Sequence, residues 1–174
     1  MIKFVKIKLD RKNKNYHNIN FLENVYHLYK KNERYLNDDY ANSDLLEEVL
    51  STVERTSPYF WAILNNDKFA GFIFLENIIG NRENFHSAEI TTCIEKEFWG
   101  DFTRQVGKKF FRYCFKKYQF KKLKGLVFKE NFRIQKLLKD LGMSLEAELR
   151  AETIKNGKLQ DIEIYSILKK QKKT

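Results

Sequence analysis

The chain has 174 residues, 43% hydrophobic and 15% aromatic, with a formal net charge of +10. That length fits one domain, expected over residues 1–174, with enough apolar surface to bury a core. No stretch approaches the roughly 18 uninterrupted apolar residues of a membrane-crossing helix, and MIKFVKIKLD carries charges where a secretory leader needs an apolar block, so the chain reads as cytoplasmic with no membrane partner.

Ile2 to Leu9 alternates apolar and basic residues with period two, which gives a half-buried strand near a sheet edge. From Ile19 to Tyr35 the spacing of Phe21, Leu22, Val25, Leu28 and Tyr29 is helical. NDDYANSD interrupts it, with Ser43 or Asp44 placed to cap a second helix, DLLEEVLSTVER, that stops before Pro58. Tyr59 to Leu64 and Phe69 to Leu75 read as strands joined by Asn65-Asn66-Asp67-Lys68, residues that tolerate the positive φ of a tight hairpin. Gly71 marks a bulge or a close backbone approach. A polar loop, Gly80 to Ser87, leads into a third antiparallel strand, Ala88 to Ile94.

A basic amphipathic helix follows from Thr103 to Tyr118. It buries Val106, Phe110, Phe111, Cys114 and Phe115 and turns Lys108, Lys109, Arg112, Lys116 and Lys117 outward. Leu123 to Phe128 is a short strand between two helices, the signature of a parallel βαβ pair. The last helix aligns Ile134, Leu137, Leu138 and Leu141, with Gly142 at its C-terminal cap. Strands at Ser144 to Ile154 and Leu159 to Leu168 flank Asn156-Gly157, a strong hairpin dipeptide.

Cys93 and Cys114 have no metal-ligand spacing and are too few for a disulfide framework; reduced packing residues and no metal site are expected. The positive charge invites a nucleic-acid reading, with Phe and Tyr among the lysines for stacking on single strands. The lysines, however, spread over helix faces and the C-terminal tail (Lys169, Lys170, Lys172, Lys173) rather than reading as one dense stripe, which disfavours that partner. Between the strand ending at Ile94 and the basic helix, a glycine turn leaves unpaired N–H groups at a positive helix end, the local chemistry of an anion site.

The order strand, two helices, three strands, helix, strand, helix, two strands is that of the GNAT superfamily of acetyl-CoA-dependent N-acetyltransferases. From Tyr59 to Leu168 the sequence resembles the branch holding the ribosomal-protein N-terminal acetyltransferases and the spermidine acetyltransferases. AEITTCIEKEFWG matches the family's fourth strand and turn, KENFRIQKLLKDLGM its Glu-Asn…Leu-Gly-Phe helix, and ELRAETIKNGKLQDIEIYSIL its last hairpin. The resemblance implies an α+β fold: a mixed, mostly antiparallel sheet of about seven strands, splayed between strands four and five, with about four helices.

It further implies that acetyl-CoA is the cosubstrate. Its pantetheine arm would bond the end of strand four at Thr92, Cys93 and Ile94. The pyrophosphate would sit on Gly100, Asp101, Phe102, Thr103, Arg104 and Gln105, and Asn131 would meet the arm near the last helix. Glu89 matches an acidic position suited to the base that deprotonates the amine. Each has a structural reading beside it: Glu89 as a strand carboxylate paired with a lysine, Asn131 as a helix cap, His86 as a surface loop residue, Tyr165 and Arg150 as packing rather than substrate wall.

Two stretches depart from the family pattern. Trp99-Gly100-Asp101-Phe102-Thr103-Arg104 is one residue short of the pyrophosphate loop, lacks its central glycine and adds a carboxylate, which Arg104, Lys108 or Lys109 can offset. The tyrosine and serine that relatives use to protonate the leaving thiolate correspond to Leu138 and Ile134. The expectation is therefore acetyl transfer to a primary amine, a peptide N-terminus or a small amine, by a monomer or homodimer. A positively charged chain repels polyamines, although the acidic second helix (Asp44, Glu47, Glu48, Glu54) lies where the family shapes its substrate entrance. A diverged, non-catalytic GNAT-fold binding module and a basic nucleic-acid-binding protein are the alternatives.

Overall fold

Strands β1 (Ile2–Asp10), β2 (Asn15–His17), β3 (Phe60–Asn65), β4 (Lys68–Gly80), β5 (Phe85–Ile94), β6 (Lys122–Phe128), β7 (Ser144–Lys155) and β8 (Lys158–Leu168) occur with helices α1 (Leu22–Leu36), α2 (Leu45–Thr56), α3 (Asp101–Tyr113) and α4 (Phe132–Asp140). These come from a computed structural model that describes residues 1–81 and 83–170; Lys172 and Lys173 lie outside the described residues. The strands form one sheet in the order β2-β1-β3-β4-β5-β6-β8-β7. The β1–β2, β1–β3, β3–β4 and β6–β8 registers are antiparallel and β5–β6 is parallel.

This is the expected α+β architecture, with eight strands rather than seven. The additional strand is β2, three residues after a turn, too short for any periodicity to show. The loop before β5 is also shorter than the sequence suggests: β4 runs on to Gly80 and β5 begins at Phe85, because backbone pairing continues past the apolar residues that mark a strand in sequence.

The chain clusters into two compact units. The first contains Met1–Leu75, Thr91–Trp99 and Ile154–Lys158; the second takes the remaining described residues. In the first, α1 and α2 supply Val25, Leu28, Tyr29, Val49 and Val53 to a core shared with Ile7, Phe60, Ala62, Phe72 and Phe74 of the strands. Phe60 stacks on Phe72 and Phe74 with ring centroids 5.6 and 5.3 Å apart. The hairpin turn is Asn66-Asp67, with φ of 47° and 64°, both central residues in the conformation a two-residue loop requires. Asp44 caps α2 by accepting from the N–H groups of Leu46 and Glu47. The Arg11 guanidinium grips Glu47 and Glu54 at 2.8–2.9 Å, and both carboxyls are held below their usual range by those bonds.

In the second unit α3 is amphipathic and buries Val106, Gly107, Phe110 and Phe111. It runs into a single π-turn, Cys114–Tyr118, closed by Gln119 in the left-handed conformation. Both cysteines are free and buried, and burial pushes the Cys114 thiol up, the behaviour of a packing residue. Asn131 caps α4 through its side chain, and Gly142 follows with φ of 86°. Asn156 and Gly157 turn the last hairpin with φ of 51° and 69°. Among the described residues no helix is long and apolar enough to cross a membrane.

Gly71 satisfies both of its sequence readings. The β3–β4 register shifts between Ile63 and Leu64, opposite it, and a Cβ built on Gly71 would lie 2.3 Å from the Cys93 carbonyl oxygen and 2.9 Å from Ile94 Cα. The obstacle is backbone. At Gly107 a Cβ would instead meet the ends of the Leu141 side chain, at 2.5 and 2.9 Å, and a leucine can change rotamer. Gly71→Ala is therefore expected to destabilise the protein by about 1–3 kcal/mol in urea unfolding. Gly107→Ala, helped by better helix propensity, should cost less than about 1 kcal/mol. Equal costs would remove the close approach as the reason for glycine at 71.

Candidate functional site

Strand β5 leads into helix α3 through a one-turn 3-10 helix, Lys96–Phe98. β5 pairs with β6 at Ser87↔Lys122, Ala88↔Leu123 and Glu89↔Lys124, while β6 continues to Phe128 paired with β8. Glu89 thus sits on the last residue of the parallel register. One of its carboxylate oxygens accepts from the Lys124 ammonium and the other from the Asn77 amide, both at 2.7 Å. The Glu89 and Lys124 side chains are 15% and 19% exposed, so the carboxylate is oriented by two donors yet still reaches solvent.

At the end of β5 the Thr92 hydroxyl donates to the Phe72 carbonyl at 3.0 Å, Cys93 is buried, and the Glu95 N–H donates to the Ala70 carbonyl. The Ile94 carbonyl accepts from the Trp99 indole N–H at 2.8 Å. Trp99 folds back over the one-turn 3-10 helix Lys96–Phe98 and donates to a carbonyl that the family resemblance assigns to the cofactor arm. Trp99 was not singled out from sequence; an aromatic beside a glycine was the only local signal.

Gly100 forms the N-cap of α3 with φ 98° and ψ −124° and offers no capping side chain. A Cβ there would meet nothing within 4 Å, so the approach to the helix start is open. Asp101 is the acidic residue of the first turn, and the Arg104 guanidinium pairs with it and lies 3.8 Å from Asp140. The carboxylate that disturbs the loop is thus neutralised within one turn. Phe102 and Thr103 are half-buried and Gln105 is exposed. Asn131 accepts from the Ile134 N–H at 3.4 Å, its structural reading, through the same side chain proposed for the ligand. Leu138 packs where a Cβ on Gly125 would come within 3.3 Å of it.

His86 and Arg150 are exposed, whereas Tyr165 is 1% exposed. The Tyr165 hydroxyl donates to Glu163 at 2.8 Å, and the Lys139 ammonium lies over its ring. The acidic residues of α2 have internal duties: Asp44 caps, Glu47 and Glu54 hold Arg11, and Glu48 accepts from the Asn42 N–H and the Thr52 hydroxyl. Also unforeseen was Asp39, which lies in the segment read as a helix breaker and as the source of the α2 cap. Its two carboxylate oxygens accept from the N–H groups of Asn156 and Gly157 at 2.8 Å each, latching the α1–α2 connection to the last hairpin turn.

A protein-family model described as an acetyltransferase (GNAT) domain matches residues 21–144. No curated protein matches the chain. Among solved structures, it is similar to a spermidine N-acetyltransferase from Vibrio cholerae in complex with CoA and spermine, at 22% identity and TM-score 0.72 over 96% of this chain and 95% of that one. It is also similar to RimL, a ribosomal L7/L12 alpha-N-protein acetyltransferase in complex with coenzyme A, at 15% identity and TM-score 0.74 over 96% and 93%. An acetyltransferase of the GNAT family from Bacillus anthracis aligns at 14% identity and TM-score 0.72 over 96% and 94%.

Burial, reinforced by the Glu163 carboxylate, pushes the Tyr165 phenol up to about 12. An unfolded tyrosine titrates near 10, so the folded chain holds this proton more tightly. The resulting stability is fully present below pH ~10 and is lost as pH rises through about 12. The urea midpoint should consequently fall between pH ~9.5 and ~11.5 by more in the wild type than in Tyr165→Phe. Equal falls would show that Tyr165 does not contribute.

Proposed function

Because the chain belongs to the GNAT acetyltransferase family, we propose that it is an acetyl-CoA-dependent N-acetyltransferase that moves the acetyl group directly to a primary amine. The observation that carries this reading is the start of α3: an N-cap glycine with open space where a side chain would be, and a carboxylate already neutralised by Arg104. A helix N-terminus of this kind suits a pyrophosphate, through oriented N–H groups and the helix dipole. In this reading Gly100, Asp101, Phe102, Thr103, Arg104 and Gln105 take the phosphates. Thr92, Cys93 and Ile94 of β5 and Asn131 of α4 take the arm.

Acetyl-CoA supplies an acyl group activated as a thioester. The amine attacks the thioester carbonyl, the new C–N bond forms as the C–S bond breaks, and CoA leaves as a thiolate. Glu89 is the proposed base. Its carboxylate is oriented by Lys124 and Asn77 and lies near enough to solvent to take the amine proton directly or through one water. With Leu138 and Ile134 at the positions of the family's proton donors, the thiolate takes its proton from solvent.

As acceptor, a peptide N-terminus or a small amine fits better than a polyamine. The carboxylates of α2 that could recognise a polycation are committed to a cap, to Arg11, and to Asn42 and Thr52. A second reading, a GNAT-fold binding module without catalysis, is favoured by the occupation of both Glu89 oxygens.

Calorimetric titration with acetyl-CoA separates binding from chemistry, and thiol release in the presence of amines then tests transfer. Micromolar binding with amine-dependent thiol release is expected; binding without release would favour the module, and no binding up to millimolar concentrations would sink both ligand readings. Glu89→Gln should lower kcat by roughly 100-fold or more while acetyl-CoA affinity changes less than about threefold. Unchanged turnover would remove Glu89 from the mechanism.

A further inference from the structure

The net charge of +10 is concentrated in one segment. The chain holds 33 Lys and Arg against 23 Asp and Glu; Phe102 to Lys129 holds ten of the former and none of the latter, leaving 23 against 23 elsewhere. Four of the ten pair with carboxylates of the second unit: Arg104 with Asp101 and Asp140, Lys122 with Glu146, Lys124 with Glu89, and Lys129 with Glu148 and Asp161.

Lys108, Arg112 and Lys116 follow at four-residue spacing along α3 and its π-turn, all exposed. That spacing puts them on one helix face, about 6 Å apart per step. Lys117 and Lys121 are exposed at the C-terminal end of the row, and none of these five has a carboxylate partner among the described residues. Lys169 joins the same end, its ammonium on the Gln119 side chain at 2.5 Å and its N–H on the Lys121 carbonyl at 2.8 Å. Lysines that look dispersed along the sequence converge because their spacing is that of a helix face. Val106, Phe110, Phe111 and Cys114 anchor the opposite face in the core, so the basic face stays outward.

What the face lacks identifies its partner. Along α3 and its π-turn no large hydrophobic residue is fully exposed: Tyr113, Phe115 and Tyr118 are half-buried, and the exposed Leu126 lies on β6. A protein partner would need an apolar anchor at the centre of its contact, and unpaired bases would need an exposed ring to stack on. Regularly spaced cations without either suit a surface of regularly spaced anions with its bases hidden. We propose that this face of α3 docks double-stranded nucleic acid through its phosphodiester backbone, without reading sequence.

The test is fluorescence anisotropy with a labelled mixed-sequence DNA duplex of about 20 base pairs, titrated at several salt concentrations. The wild-type chain is expected to bind with a Kd of roughly 10⁻⁴ to 10⁻⁶ M and a log–log salt slope of about −3 to −4. Arg112→Gln/Lys116→Gln/Lys121→Gln should weaken binding about tenfold or more and flatten the slope by about 2–3. Lys12→Gln/Lys30→Gln/Lys158→Gln removes the same charge from exposed positions elsewhere and should change affinity less than about twofold.

Thermal melting checks that each variant folds. If the α3 triple variant melts early, Lys116→Gln alone should still reduce the slope by about 1. Absence of duplex binding at low salt, equal losses in the two triple variants, or a single strand or polyglutamate binding as tightly as the duplex would each overturn the proposal.

Discussion

The second unit is organised around three residues of parallel pairing, Ser87↔Lys122, Ala88↔Leu123 and Glu89↔Lys124. Parallel neighbours cannot be joined by a tight turn. The chain has to leave β5, cross the sheet and return, and a helix is the compact way to do it. That requirement calls for α3, and the buried row Val106, Phe110, Phe111 and Cys114 holds it down. Because the helix must start soon after β5 ends, Trp99 and Gly100 carry the turn, and the uncapped N-terminus of α3 follows directly. The same register puts Glu89 opposite Lys124. The candidate base and the candidate anion site are thus consequences of one crossover.

Electrostatics divides the molecule by function rather than by amount of charge. In the first unit the carboxylates of α2 are used internally, as a helix cap and as the jaws around Arg11, and Asp39 is used to latch a hairpin turn. The Arg11 and Asp39 bonds join segments far apart in sequence, and the Asp39 pair fixes the α1–α2 connection. In the crossover segment the balance is reversed: cations outnumber their partners, and the surplus lies on a helix face that cannot turn inward. Exposed ion pairs contribute little to stability individually, so an unpaired row of this kind costs little to keep and leaves its charge available to a partner.

Much of the architecture was legible in the sequence because it depends on local chemistry. Period-two alternation in β1, helical spacing in α1 and α4, Asp44 ahead of α2, Asn66-Asp67 and Asn156-Gly157 in two-residue turns are each decided within a few residues. So was the parallel pair, since a short apolar strand between two helices leaves few other topologies. Strand β2 and the early start of β5 were not legible, because backbone pairing with a neighbour, not side-chain pattern, makes them strands.

The candidate site divides along the same line. The sequence by itself singled out the segments proposed to meet an acyl carrier: a strand end, a glycine turn, a helix start and Glu89, all contiguous or carried by short motifs. Only the tertiary structure decided how those groups are held. Lys124 and Asn77 converge on Glu89 from 35 and 12 residues away, Trp99 turns back onto Ile94, and Arg104 chooses Asp101 and Asp140 as partners. Periodicity and turn preference act over a few residues, whereas hydrogen bonds and ion pairs depend on distances that exist only once the sheet register and helix packing are set.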